Sequence, residues 1–396
     1  MASRILLLLW CTLASVSGQS YPCTDTAVAL VLRRLSYDFS IGITDKIKED
    51  VEGNFVFSPL QVWVQLTALA ESSSGASAVQ IMKVTQYKRQ LCFRRKFLRI
   101  IKSNYYDDLG LEFFRSDVLL VDREYMIVHS YKVNAEGGFN IQIKPYVVND
   151  EAFAQRLNNE ITEATNGEVG DMFSADDFQR ALVVADAAYF RPLWLYPFDE
   201  TITKVQNFFS EEHKVIGNVA MMYQRGLFNM SYIPSVKLTV LELPCGEDAT
   251  SFLIFLPDNG SIENMYYELK GITLSTIYKR FTIEGEKVVN VQLPRFKIYS
   301  DYDNLREVIS DMGIDMIFKE NWSDFNGVKD KDLHVSLMIQ ASVVEITEGD
   351  LAVYPDVPSN VEEYDFVANR PFAFMGVNTD SKIILFSGVY SSPSIY

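Results

Sequence analysis

The sequence predicts an α+β fold in one large domain, and three observations carry that expectation. Helix-period patterns dominate from about residue 24 to 180. From 181 onward, short apolar or β-branched runs bounded by Gly, Pro, Asp and Asn read as strands. No Pro- or Ser-rich stretch separates the two textures, so helices and strands are expected to share one core. At 48% hydrophobic and 22% charged residues, the composition excludes disorder, collagen and coiled coil, and 396 residues suffice for a large core.

The elements follow in chain order. Arg4, the apolar run Ile5–Leu13 and the small residues Ala14 to Gly18 form a secretory signal peptide over residues 1–18. The run is too short for a membrane span, which needs about 20 apolar residues. The single domain is then residues 19–396, in a secreted, extracellular protein. Thr24 to Leu35 carries Val28, Leu30, Val31, Leu32 and Leu35 on a broad apolar helical face. Ser58-Pro59 reads as a helix start, with proline in the first turn and Leu60 to Leu69 behind it. Glu151 to Thr165 is a second helix, stopped by Asn166-Gly167. Ala181–Phe190, Leu238–Leu243, Ser251–Leu256, Val288–Leu293, Phe372–Val377 and Ile383–Val389 are the strands.

Charge and reactive residues narrow the function classes. The 36 Lys+Arg against 52 Asp+Glu give a net −16, which excludes nucleic acid and anionic membrane as partners of the whole surface. His129, His213 and His334 are the three histidines; none has a partner at metal spacing, and no phosphate-cradling glycine loop or nucleophile elbow occurs. No metal, cofactor or catalytic role is therefore expected. With Cys11 removed by signal cleavage, Cys23, Cys92 and Cys245 remain; three is odd, so one thiol is free or pairs between chains. Asn229, Asn259 and Asn321 begin Asn-x-Ser glycosylation acceptors, usable where they are exposed.

Seven short segments, in order, then carry a family resemblance. Asn54-Phe55-Val56-Phe57-Ser58-Pro59 resembles the serpin segment in which a strand enters the second helix, and Thr165-Asn166-Gly167 its Thr-x-Gly helix end. Asp186-Ala187-Ala188-Tyr189-Phe190 with Trp194 and Pro197-Phe198 is similar to the family's Asn-x-x-Tyr-Phe strand and its Trp-x-x-Pro-Phe. Leu293-Pro294-Arg295-Phe296, Ser323-Asp324-Phe325-Asn326-Gly327, Asn369-Arg370-Pro371-Phe372 and Leu385-Phe386-Ser387-Gly388 complete the set. The resemblance covers the whole mature chain. It implies three β-sheets with about nine helices and an exposed C-terminal reactive loop, here about residues 349–369. In inhibitory serpins a protease cleaves that loop, which then inserts into the main sheet and traps the acyl-enzyme. The uncut fold is kinetically trapped, and the new strand releases the stored free energy.

The chain departs from the family at the stem of that loop. Val335 to Gly349 resembles the strand leading into it, but Gln340 stands where His is usual and Asp186 where Asn is usual. Glu348 meets Gly349 directly, so one residue is missing. The hinge is read as Glu348, Gly349, Asp350, Leu351, Ala352 and Val353. Pro355 and Pro358 oppose insertion, since proline cannot donate to a ladder. Alternation favours it: Leu351, Val353, Pro355 and Val357 share one parity, while Asp350 and Asp356 fall on the other. Two readings stay open, a suicide-substrate inhibitor and a non-inhibitory serpin used for binding, carriage or storage.

Counting forward from the hinge puts the cleaved bond near Glu363 or Tyr364, and counting back from Asn369-Arg370-Pro371-Phe372 puts it near Asn360. The cleavage region is thus Asn360, Val361, Glu362, Glu363 and Tyr364. Gly349 to Asn369 holds no Lys or Arg, but five acids: Asp350, Asp356, Glu362, Glu363 and Asp365. A trypsin-like pocket reads a basic residue through a buried aspartate, so such enzymes are disfavoured as targets. Elastase- or chymotrypsin-like serine proteases and papain-like cysteine proteases remain; some insect serpins with shortened loops resemble this chain. Finally, Lys83 to Lys102 holds eight basic residues and no acid. Lys88, Arg94, Arg95, Arg99 and Lys102 are the candidate contacts for a heparin-like glycosaminoglycan, where the resemblance places heparin-binding residues; a solvated face paired to acids elsewhere is the alternative. The protein is read as a monomer.

Overall fold

The computed structural model describes residues 23–104, 110–179, 181–246, 249–259, 261–263, 265–303, 305–320, 324–328, 333–349, 357, 361–394 and 396. Residues 1–18, read as a signal peptide, lie outside them. The first helix, α1 (Asp25–Asp50), begins where Thr24 Oγ1 accepts the Ala27 N–H at 3.2 Å. It runs well past Leu35, because Tyr37, Phe39, Ile41, Ile43 and Ile47 keep burying a face. After β1 (Phe55–Phe57), Ser58 precedes α2 (Pro59–Ser72), with proline in the first turn as expected. Residues 59–70 of α2 are all buried, so this helix threads the core rather than floating on it.

Two further helices, α3 (Gly75–Thr85) and α4 (Leu91–Ser103), precede a correction. The region read as mostly helical contains β2 (Leu111–Asp122) and, after α5 (His129–Asn134), β3 (Gln142–Tyr146). The second half of β2, Asp117 to Asp122, is buried on both faces, so its alternation is lost and period alone cannot separate it from a helix. The next helix, α6 (Glu151–Ala164), ends as predicted: Asn166 and Gly167 take φ of 56° and 86°, and the Gly167 N–H returns to the Thr162 carbonyl at 2.7 Å.

The second half is β4 (Leu182–Pro192), β5 (Lys204–Phe209), β6 (Val215–Phe228), β7 (Met230–Ile233), β8 (Leu238–Cys245), β9 (Thr250–Pro257), α7 (Met265–Leu269), α8 (Leu274–Glu284), β10 (Lys287–Pro294), β11 (Phe296–Tyr302), α9 (Leu305–Asp311), β12 (Val335–Ile346), β13 (Glu363–Val367), β14 (Phe372–Asn378) and β15 (Ile384–Tyr390). Three sheets result, ordered β1-β15-β14-β9-β8-β7, β13-β10-β6-β5 and β11-β12-β4-β2-β3. With nine α-helices among the described residues, this is the α+β architecture the resemblance implied.

The five-stranded sheet positions the site. Its centre is a parallel pair, β12 beside β4, running from Val335↔Leu182 to Val344↔Phe190 with a register shift between Val335 and Leu337. Period 2 divides the two faces. Val184 and Ala188 of β4, with Met338 and Val344 of β12, join the main core around α2. Ala185, Ala187 and Tyr189, with Ala341 and Val343, pack instead in a second cluster that includes Ala154, Leu157 and Ile161 of α6. Both faces of the central pair are thus closed by apolar contacts.

Candidate functional site: the stem of the reactive loop and the seam beneath it

At the end of β12 the backbone is held carbonyl by carbonyl. Trp194 Nε1 donates to the Thr347 carbonyl at 2.7 Å, and the Phe198 N–H to the Glu348 carbonyl at 2.9 Å. The Glu348 carboxylate is buried, accepts the Thr203 hydroxyl at 2.9 Å and lies 3.4 Å from Arg295 Nη1. Gly349 then turns the chain with φ of +96°, and a Cβ there would meet Trp194 and Pro197 at 3.2–3.3 Å. Only glycine suits both the conformation and the space. The Trp194 and Pro197-Phe198 segment therefore cradles the backbone from Thr347 to Gly349. Asp350, Leu351, Ala352 and Val353 lie outside the described residues, as does Asn360.

From Glu363 the chain is already sheet. β13 pairs in parallel with β10, from Val288↔Glu363 to Gln292↔Val367. Arg225 clasps Glu363 at 2.6 Å, and Asn290 Nδ2 donates to Glu363 and Asp365 at 3.2 and 3.1 Å. Glu363 and Tyr364, where the forward count from the hinge puts the cleaved bond, are thus strand residues. Val361 and Glu362 are exposed and precede the strand.

Beneath the hinge, the β4–β12 seam carries a polar row on its main-core face. Asp117 of β2, Asp186 of β4 and Gln340 of β12 are register partners in sequence across three strands. Gln340 accepts the Ser58 N–H at 2.6 Å and donates to the Ser58 carbonyl at 3.0 Å, fastening the start of α2 to β12. Asp117 accepts Gln61 Nε2 at 3.1 Å and forms an ion pair with Arg115. Asp186 is fully buried and neither oxygen has a hydrogen-bond partner. Burial, then the opposing Asp117, pushes its carboxyl well above the ordinary range. Nearer the hinge, the Tyr189 hydroxyl crosses the seam to Glu345 at 2.7 Å. Sequence reasoning flagged Asp186 and Gln340 but missed Asp117, Arg115 and Glu345, since no local pattern joins residues so far apart in the chain.

The basic stretch is partly spent inside the fold. Arg94 turns inward to Glu71 at 2.9 Å, so this candidate polyanion contact is already paired with a largely buried acid. Arg89 donates to the Ala70 and Ser73 carbonyls at the end of α2. Lys96 pairs with Asp25, and Arg99 approaches the same carboxylate at 3.4 Å while staying exposed. Lys88, Arg95 and Lys102 make no ion pair among the described residues, and the last two are exposed. Cys23 and Cys92 form a disulfide that ties the start of α1 to α4, and Cys245 is buried with its thiol pKa raised by burial. Asn229 donates its amide to buried Glu242 at 2.8 Å, and the Ser231 of its acceptor motif is buried too. Asn259 is exposed, whereas Asn321 lies outside the described residues. Among the described residues no group of three His, Cys, Asp or Glu is placed to hold a metal. Among them, too, no helix is long and apolar enough to cross a membrane.

Comparison with known proteins matches residues 34–393 to the family model described as Serpin (serine protease inhibitor). A curated relative, Serpin B5 of Xenopus laevis, is 27% identical over 91% of this chain and 97% of its own length. The fold matches the crystal structure of Manduca sexta serpin-12 with TM-score 0.81 at 22% identity, covering 91% of this chain and 99% of that one. It matches native protease nexin-1 with heparin at TM-score 0.82 and 23% identity, covering 92% and 100%.

Proposed function

Because the chain belongs to the serpin family of protease inhibitors, we propose that it is a secreted suicide-substrate inhibitor whose bait lies between Gly349 and β13. The observation that carries this reading is the hinge. Glu348, Gly349, Trp194, Thr203 and Arg295 hold the start of the loop at the end of the parallel β4–β12 seam, where a strand entering from Gly349 would lie between β12 and β4. The target's nucleophile attacks the scissile carbonyl, the peptide C–N bond breaks, and the new amine takes a proton and stays on the β13 side. The segment after Gly349 then carries the acyl-enzyme into the seam. Inserted, it adds ladder hydrogen bonds and buries an apolar row.

Fixing Glu363 onward in β13 favours a cut within residues 350–362, which counting back places near Asn360. A protease aligns its substrate as an extended strand, and the backbone of β13 is already engaged by β10. With no basic residue from Gly349 to Asn369, the targets are elastase- or chymotrypsin-like serine proteases or papain-like cysteine proteases. The Cys23–Cys92 bridge supports the secreted reading, since such bonds persist in oxidising compartments. Lys88, Arg95, Arg99 and Lys102 are proposed to bind a heparin-like polyanion. Pro355 and Pro358 favour the second reading, a serpin fold used for binding, carriage or storage.

Incubation with a panel of proteases and denaturing electrophoresis decides between them. The inhibitor reading expects a covalent band at summed mass with a non-trypsin-like enzyme and none with trypsin-like ones. Cleavage of the loop by every active protease without such a band supports the second reading. A stable complex with a trypsin-like enzyme, mapped to this loop, overturns the specificity argument.

A further inference from the structure

We propose that Asp186 is a positioning residue held as a neutral carboxylic acid beside charged Asp117, and that loss of its proton loosens the β2–β4–β12 seam. The two carboxyl groups are directly opposed in an antiparallel pair, where side chains on one face approach to about 5 Å. Both point into the main core, not solvent. The groups facing Asp186 from each neighbouring element are few. From β2 come Asp117 and its ion-pair partner Arg115; from β12 comes uncharged Gln340, committed to Ser58; from α2 comes Gln61, committed to Asp117. Arg115 is thus engaged by Asp117, and neither Asp186 oxygen receives a hydrogen bond. A second negative charge here meets burial and a like charge that Gln340 and Arg115 only partly offset, which a low-dielectric site does not tolerate.

The sign follows from proton counting. Between the ordinary carboxylate range and the raised value in the fold, the folded chain holds a proton that the unfolded chain has released. Stability therefore falls as pH rises through that window and is greatest on its acid side. Asp186 sits on the strand that must part from β12 if a new strand enters, so its ionisation weakens the closed arrangement most where it opens. The effect on inhibition rests on the insertion reading; the effect on stability does not.

The experiment compares the full chain with Asp186→Asn, which keeps the shape and cannot ionise. Unfolding midpoints are measured from pH 5 to pH 9. The midpoint of the natural chain is expected to drop with rising pH relative to that of D186N. An infrared difference spectrum at neutral pH should show a protonated-carboxyl band lost in the variant, a signature that a merely structural role does not produce. Where a target protease is known, the moles of inhibitor consumed per enzyme trapped should vary with pH in the natural chain and be flat in D186N. Parallel midpoint curves, or no carboxyl band difference, overturn the proposal; a pH-independent stoichiometry with both stability signatures present overturns only its link to insertion.

Discussion

At the scale of single residues, Arg94 and Arg95 are adjacent in sequence and opposite in role. Helix α4 turns one to Glu71, which also accepts the Tyr87 hydroxyl at 2.7 Å, and leaves the other in solvent. The polyanion reading therefore makes a contrast. Replacing Arg95 and Lys102 with Ala should lower the salt needed to elute the protein from heparin, because exposed cations contribute through counterion release. Replacing Arg94 should leave elution unchanged but lower the unfolding midpoint, since Glu71 loses the partner that offsets its burial. Equal effects of both substitutions on elution, or no retention at low salt, contradict the reading. The spacing of the basic residues was legible in the sequence; their partners were not, because Glu71 and Asp25 lie on other helices. Gly349 was legible as a hinge glycine from its neighbours. Its need for a positive φ against Trp194 and Pro197 required the fold.

Elements were readable where an apolar stripe or bounding turn residues marked them, even for strands buried on both faces. Helix α6 declared itself through an apolar stripe and an Asn-Gly stop, and β8, β9, β14 and β15 through short β-branched runs between turn residues. Strand β2 did not show its period, being buried on both faces over its second half, and α1 was cut short because its apolar face broadens past Leu35. Strand β13 was the costliest omission. Its residues read as a short acidic loop, because Glu363 and Asp365 face outward and only Phe366 is buried. Its pairing with β10 makes a mapping prediction. Limited proteolysis followed by mass spectrometry should place loop cuts within residues 350–362 and none at Glu363–Val367 while the protein is folded. A dominant cut after Glu363 or Tyr364 would mean that β13 is not formed in solution.

For the whole molecule, insertion sets the gain of one buried strand against two prolines and the closed seam. Leu351, Val353 and Val357 contribute roughly 1.5 to 3 kcal/mol each if buried, and the added ladder hydrogen bonds act in the same direction. Against them stand the missing donors of Pro355 and Pro358, the apolar contacts on both faces of β4–β12, and the Tyr189–Glu345 bond that must break. The balance favours insertion once cleavage frees the loop from β13. The most direct measurement is the unfolding midpoint of the protein before and after a single nick within residues 350–362. A marked rise is expected, largely removed by Val353→Asp, which would bury an unpaired carboxylate, and little changed by Ala352→Asp on the opposite parity. Identical midpoints for intact and nicked protein would show that the loop stays out of the sheet and that this serpin does not inhibit by insertion.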